Sequence, residues 1–252
     1  MTEGTLSQPV LQTRDLRMAF GGLVVFHNLN FTLQRGERHA IIGPNGAGKT
    51  TFVSLVTGLL QPSGGDVLFN GAVITGASPQ QRVKAGIART FQINSLFKAL
   101  NPLASLVIAL AEREGRAGVS LRKVARETAL IEEASALLAK FGLGDDALAV
   151  TETLPYGKQR LLEVALALAL RPQLLLLDEP AAGLSTEQGH ELFRQLAVLT
   201  ADTTVLFIEH DMNLVFRYAD RVSVFAAGAL VVQDTPDRVR NHPRVREVYL
   251  GA

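Results

Sequence analysis

The sequence predicts an α/β fold: a parallel sheet flanked by helices, with an antiparallel β segment ahead of it and a helical insertion in the middle. Three observations carry that expectation. The first 90 residues alternate like strands and hold a hairpin turn. Residues 95 to 155 switch to helical stripes. After residue 155, strand-length and helix-length segments alternate, the pattern of strands joined by covering helices.

Each element has its own signal. Asn28-Leu29-Asn30-Phe31-Thr32-Leu33-Gln34 alternates polar and apolar residues, the period of a half-buried strand. Asp66 to Phe69 and Ala72 to Ile74 flank Asn70-Gly71, a pair that readily takes the two positive φ angles of a type I′ turn. Asn101 can cap a helix with Pro102 at its first position, and Leu103, Leu106, Val107 and Leu110 then share one face. A second stripe, Leu130, Ile131, Ala134, Leu137, Leu138 and Phe141, has helical spacing. Between them, Glu112 to Arg126 is charged and contains glycine, and reads as a loop or exposed helix.

A helix follows over about Gln159 to Leu170, then the apolar strand Leu174 to Leu177, a helix from about Glu187 to Leu199 and a strand from Thr203 to Ile208. Arg221 to Phe225 and Ala229 to Gln233 form a second hairpin around Ala227-Gly228. The expected layout is a single domain over residues 1–252. Its core covers about 1–94 and 156–235, its helical subdomain about 95–155, and its polar, basic tail 236–252.

Composition excludes several functions. Of 252 residues, Lys and Arg number 25 and Asp and Glu 24, so the net charge is +1. That balance argues against a protein that grips nucleic acid by bulk charge. There is no Cys, which removes disulfides, thiolate zinc sites and cysteine nucleophiles and fits a reducing compartment. A mean hydropathy of +0.19 raises the membrane question. The longest run without Asp, Glu, Lys or Arg is Met18 to Gln34, 17 residues with two glycines and two asparagines, so it reads as strands. A spanning helix needs about 20 apolar residues. The N-terminus lacks the basic start and apolar core of a secretion signal. The expectation is a soluble, cytoplasmic chain.

Chemistry enters at Gly43-Pro44-Asn45-Gly46-Ala47-Gly48-Lys49-Thr50, which fits G-x-x-x-x-G-K-[ST]. His39 to Ile42 ahead of it reads as a buried strand, and Thr51 to Val56 after it as a helix. The glycines let the backbone curl and turn its N–H groups inward over Asn45 to Thr51. The helix N-terminus adds partial positive charge where a phosphate sits. Lys49 can reach the β- and γ-phosphates of a nucleotide, and the Thr50 hydroxyl can ligate Mg²⁺. Further on, Leu174 to Leu177 runs into Asp178-Glu179-Pro180. In an open parallel sheet, ligands sit at the carboxyl ends of strands. Asp178 arrives there suited to hold Mg²⁺ through water. Glu179 points elsewhere and could take a proton from, or orient, a water attacking the γ-phosphate.

Three further segments stand in order around these: Gln92 in Arg89-Thr90-Phe91-Gln92, Leu154-Pro155-Tyr156-Gly157-Lys158-Gln159, and Ile208-Glu209-His210-Asp211. With the loop and the acidic pair, they resemble the ATP-binding subunit of an ABC transporter over roughly residues 9 to 252. The resemblance implies a P-loop NTPase core of the ABC type with ATP and Mg²⁺ as cofactors. It implies that Phe20 stacks on adenine. Gln92 contacts Mg²⁺ or the attacking water and relays the nucleotide state to a membrane partner. His210 holds the γ-phosphate and helps fix Glu179. Ala182-Gly183-Leu184-Ser185 crosses to a second subunit, and Tyr156, Gly157 and Lys158 face nucleotide bound there.

In that family the segment matching residues 154–158 is commonly Leu-Ser-Gly-Gly-Gln; here Pro155 replaces Ser and Tyr156 replaces Gly. A small residue, Tyr and Gly at this place is similar to importers of branched-chain amino acids, as are residues 178–184 and the tail 242–251. The resemblance implies a second ATPase subunit (identical or paralogous), two transmembrane permeases, and indirectly a solute-binding protein, at the cytoplasmic face of the membrane. No nucleic-acid partner is expected. The rival readings are the ATPase of a lipid or lipopolysaccharide exporter, a non-transport ABC ATPase acting on DNA or ribosomes, and a simple nucleotide-binding kinase.

Overall fold

The computed structural model describes residues 8–90, 98–116 and 128–250. The chain forms two compact units. One comprises Met1–Ile87, Gln173–Pro180 and Thr200–Ala252; the other comprises Ala88–Pro172 and Ala181–Leu199. The helical segment read at 95–155 therefore falls inside the second unit, which also takes in residues on both sides of it.

The first unit opens with β1 (Leu11–Phe20) and β2 (Leu23–Leu33), paired antiparallel. β4 (Gly64–Phe69) and β5 (Ala72–Val73) extend them into a four-stranded sheet of order β2-β1-β4-β5. β1 was not separable as a strand by alternation, and the reason is a bulge. Thr13 faces Phe31 and Leu16 faces Leu29, so β1 spends one more residue than β2 between those pairs. The extra residue, Asp15, sits at φ 46°. The Thr13 hydroxyl closes the gap, donating to the Leu29 carbonyl at 2.8 Å and accepting from the Phe31 N–H at 3.0 Å. Asn70 (φ 50°) and Gly71 (φ 78°) make the expected turn between β4 and β5.

The second sheet has order β10-β9-β3-β8-β7-β6. Its central strands β3 (Arg38–Ile42), β7 (Leu174–Asp178) and β8 (Thr204–Ile208) run parallel, with β9 (Arg221–Ala226) parallel to β3 and β10 (Ala229–Asp234) returning antiparallel. The edge strand β6 is Ile87–Arg89. All four leucines of β7 and all five residues of β8 are buried, as expected of strands covered on both faces. Helix α1 (Lys49–Thr57) lies against this core. Phe26 and Phe31 on β2, Phe52 on α1 and Phe225 on β9 meet edge-on, with ring centroids 5.0 to 6.5 Å apart. Each such pair contributes about 1 kcal/mol beyond its buried area. That cluster fixes α1, and so the loop before it, against both sheets.

α2 (Pro79–Ala85) carries Arg82, which is 1% exposed. Its guanidinium donates to the carbonyls of Leu55 (2.6 Å) and Val56 (2.9 Å) in the last turn of α1, and to those of Thr75 (2.8 Å) and Ala77 (3.1 Å). Burial pushes its pKa down. Four carbonyls, two of them at the negative end of a helix dipole, compensate the buried charge. α7 (Met212–Tyr218), α8 (Pro236–Arg240) and α9 (Pro243–Leu250) complete this unit, so the tail is helical.

The second unit is mostly helical: α3 (Pro102–Arg113), α4 (Thr128–Lys140), α5 (Tyr156–Ala169) and α6 (Thr186–Leu199). α3 begins as its sequence requires, with the Asn101 side chain accepting the Ala104 N–H at 2.7 Å. Leu106, Val107 and Leu110 of its stripe are buried, as are Leu130, Ala134, Leu138 and Phe141 of the next. Arg113 joins the elements, donating to Glu133 at 2.8 Å and to the Ala169 carbonyl at 3.1 Å. α5 starts at Tyr156, three residues before the boundary expected near Gln159, so Tyr156, Gly157 and Lys158 form its first turn. Among the described residues no helix is long and apolar enough to cross a membrane.

Candidate functional site

The phosphate loop is shaped by close contacts. A Cβ on Gly43 would stand 2.1 Å from the Phe225 carbonyl oxygen, so only glycine lets the loop leave β3 beside β9. Gly48, at φ 92°, caps α1, and a Cβ there would fall 2.7 Å from the Phe26 ring. The Lys49 side chain is drawn back under the loop. Its ammonium donates to the carbonyls of Gly43 (2.7 Å) and Pro44 (3.1 Å). Burial lowers its pKa, while Glu179 and Asp178 pull the other way. The lysine thus braces the loop it serves.

The acidic pair splits as the strand requires. Asp178 ends β7 in register with Ile208 of β8. Glu179 follows at φ 50°, a left-handed conformation that costs a non-glycine residue about 1 kcal/mol. Its N–H donates to the Ile208 carbonyl at 3.0 Å. That turn swings its carboxylate off the sheet to 2.8 Å from His210 Nε2. With a carboxylate as acceptor, Nε2 carries the proton, which fixes the tautomer.

These groups surround one cleft of about 350 Å³ in the first unit. Its floor is Asn45, Gly46, Ala47, Gly48, Lys49, Thr50 and Thr51; Glu179 and His210 stand at one side; Phe20, Leu23 and Val25 form an apolar wall. Such a volume suits a small organic ligand. The wall gives an aromatic ring a place to stack, the floor is rich in N–H groups, and the carboxylate–imidazole pair can orient a water. Residues 45–51, Phe20, Glu179 and His210 thus line one cleft, while Asp178 ends β7 outside that lining.

The cleft also contains two residues that sequence reasoning missed. Leu23 and Val25 follow Phe20 across Gly21-Gly22, and the only signal was that short turn. Gln92 lies outside the described residues. Tyr156, Gly157 and Lys158 sit together on α5 in the second unit. Lys158 has a partner there that its position did not announce, donating to Asp146 at 2.6 Å.

Residues 26–182 match the family described as ABC transporter. The chain belongs to the ABC transporter family. Residues 230–252 of this ABC chain match a second family, described as branched-chain amino acid ATP-binding cassette transporter. The chain is 38% identical over 256 residues to the high-affinity branched-chain amino acid transport ATP-binding protein LivG of Escherichia coli, covering 98% of this chain and 99% of that protein. It is 37% identical over 255 residues to BraF of Pseudomonas aeruginosa, described in the same words, with 98% and 99% covered. Among solved structures it is similar to an ATP-binding cassette of an ABC transporter in its ADP conformation, with a TM-score of 0.85, 28% identity, and 98% and 100% of the two chains covered. The ABC fold accounts for the sheet order, and membership makes the chain an ATPase coupled to transport.

Proposed function

We propose that this ABC ATPase energises the import of branched-chain or closely related amino acids, with the cleft as its nucleotide site. The observation that carries the reading is the meeting of the phosphate loop, Lys49, Thr50 and the Glu179–His210 pair around that one cleft. Phe20 stacks on adenine. The N–H groups of residues 45–51 and the Lys49 ammonium hold the β- and γ-phosphates. Glu179 orients the attacking water and accepts its proton, and His210 holds Glu179 and the γ-phosphate. Full-length similarity to branched-chain amino acid transport proteins, together with the matching tail, supports import over lipid export or a role away from membranes.

The donor set suits Mg²⁺. Thr50 and Asp178 offer hard oxygens, the donor type Mg²⁺ takes. Oxygen donors of this kind suit an ion that completes its shell with water and phosphate oxygens. Thr50, Asp178 and Gln92 would hold it, and when bound it supplies charge neutralisation on the phosphate oxygens.

The partners we propose are a second ATPase subunit, identical or paralogous, two permeases and, through them, a solute-binding protein, with this chain at the cytoplasmic face. Tyr156, Gly157 and Lys158 then face nucleotide bound by the second subunit. Leu148 and Val150, 74% and 43% exposed, lie within the helical segment. Gentle extraction of membranes from cells with the tagged chain tests the reading. Co-purification of permeases and a binding protein that takes leucine, isoleucine or valine is expected. Recovery of a lipid-export scaffold, or of DNA or ribosomes, overturns it.

A further inference from the structure

The second turn of α5 contains a charged assembly that stability does not explain. Glu163 is 4% exposed on a helix whose neighbouring Leu162, Val164 and Ala165 are buried and apolar. Its Oε2 accepts from Arg160 at 2.9 Å. Among the described residues its Oε1 and the Arg160 Nε have no hydrogen-bond partner. Burial pushes the Glu163 carboxyl up to about 7, against the pull of Arg160. A buried, half-satisfied ion pair is commonly no more stable than two apolar side chains of similar size. Another role is required.

The other arm of the guanidinium supplies it. Arg160 donates to the Tyr156 hydroxyl at 2.9 Å, with its guanidinium carbon 5.3 Å from the centre of the same ring. Tyr156 is 41% exposed, yet Arg160 holds its hydroxyl and lies over its ring. It also packs beside Gly183, where an added Cβ would lie 3.3 Å from the ring. Gly183 is at φ 80° in the turn before α6. One tyrosine therefore links the start of α5 to that turn, and one buried pair fixes the tyrosine. Nothing in the sequence marked Arg160 or Glu163.

We propose that Arg160 and Glu163 are positioning residues that set the Tyr156 ring, and through it the first turn of α5 and the turn at Gly183, for contact with nucleotide held by a second ATPase subunit. This rests on the reading above that Tyr156 and Gly157 face such a nucleotide. Small displacements of a positioned group cost rate far more than they cost folding.

The test uses the full chain and three readouts: ATP affinity, thermal unfolding and steady-state ATP hydrolysis. Arg160→Met/Glu163→Leu removes both charges at once, so no uncompensated buried ion remains. It is expected to keep its unfolding temperature and its ATP affinity, because the cleft is untouched, and to lose about tenfold in hydrolysis. Tyr156→Phe, which removes only the hydroxyl, is expected to lower hydrolysis alone and to add little on the double-variant background. Hydrolysis within twofold of wild type in the double variant overturns the proposal, as does a full additional loss from Tyr156→Phe on that background. If the double variant does not fold, Arg160→Met, which removes the group that touches Tyr156, takes its place with the same readouts, and a wild-type rate overturns the proposal. Lys49→Ala is the control. Hydrolysis that survives it defeats the proposed nucleotide site itself, whereas Lys49-dependent hydrolysis with a silent Arg160–Glu163 pair defeats only this inference.

Discussion

Glu179→Gln is expected to cut steady-state ATP hydrolysis by roughly two to three orders of magnitude while ATP affinity stays within a few-fold of wild type. The substitution is nearly isosteric, and the amide oxygen can still accept from His210 Nε2, now 2.8 Å from the carboxylate. What is lost is the ability to take a proton. General-base catalysis is worth about 10²–10⁴ in rate. Affinity is spared because the phosphate loop and Lys49 make the binding contacts, and neither depends on this side chain. Phosphate release and equilibrium nucleotide binding, measured on the same preparation, check both halves. A hydrolysis rate near wild type would remove Glu179 from the base's role. The left-handed turn at Glu179, φ 50°, would then have no functional account.

Lys49→Ala acts on the other half of the process. It is expected to weaken ATP binding by about 100-fold, roughly 2.7 kcal/mol, and hydrolysis falls with it. Two effects combine. The ammonium's charge toward the phosphates disappears. So do its bonds to the Gly43 and Pro44 carbonyls, at 2.7 and 3.1 Å, which hold the loop curled. Lys49→Arg is expected to rescue little, since the site is 7% exposed and a planar guanidinium does not replace a compact ammonium there. Calorimetric titration with ATP distinguishes the cases: unchanged affinity in the alanine variant would mean that Lys49 braces the loop without contacting nucleotide.

The features legible in the sequence are those whose causes lie within a few residues. The glycines and lysine of residues 43–50 act locally, so strand, loop and helix could be placed from the motif. The turns at Asn70-Gly71 and Ala227-Gly228, and the cap at Asn101, are local too. β1 escaped because the bulge at Asp15 shifts its alternation by one residue, which only its pairing with β2 reveals. α2 escaped because seven residues are too few for a periodic stripe, although Ser78-Pro79-Gln80-Gln81 carries a capping box that marks its start.

Side-chain partners distant in sequence were not legible at all. Arg82 serves carbonyls at Leu55 and Val56, and Lys158 serves Asp146 across a loop. In the candidate site, Glu179 was legible from the apolar strand it follows, whereas Phe20 and His210 needed a family pattern to be chosen, because a lone Phe or His carries no signal. Leu23 and Val25 join them only once the strands are folded. Part of the apolar composition lies in a sheet whose central strands are buried on both faces.

This cleft hydrolyses ATP to move an amino acid across a membrane. Uptake of radiolabelled leucine into vesicles reconstituted with the co-purified complex and its loaded binding protein tests it most directly. Accumulation that requires ATP and is abolished by Glu179→Gln is the predicted result. Accumulation that proceeds equally without ATP, or with Glu179→Gln in place, would mean that the cleft does not drive uptake.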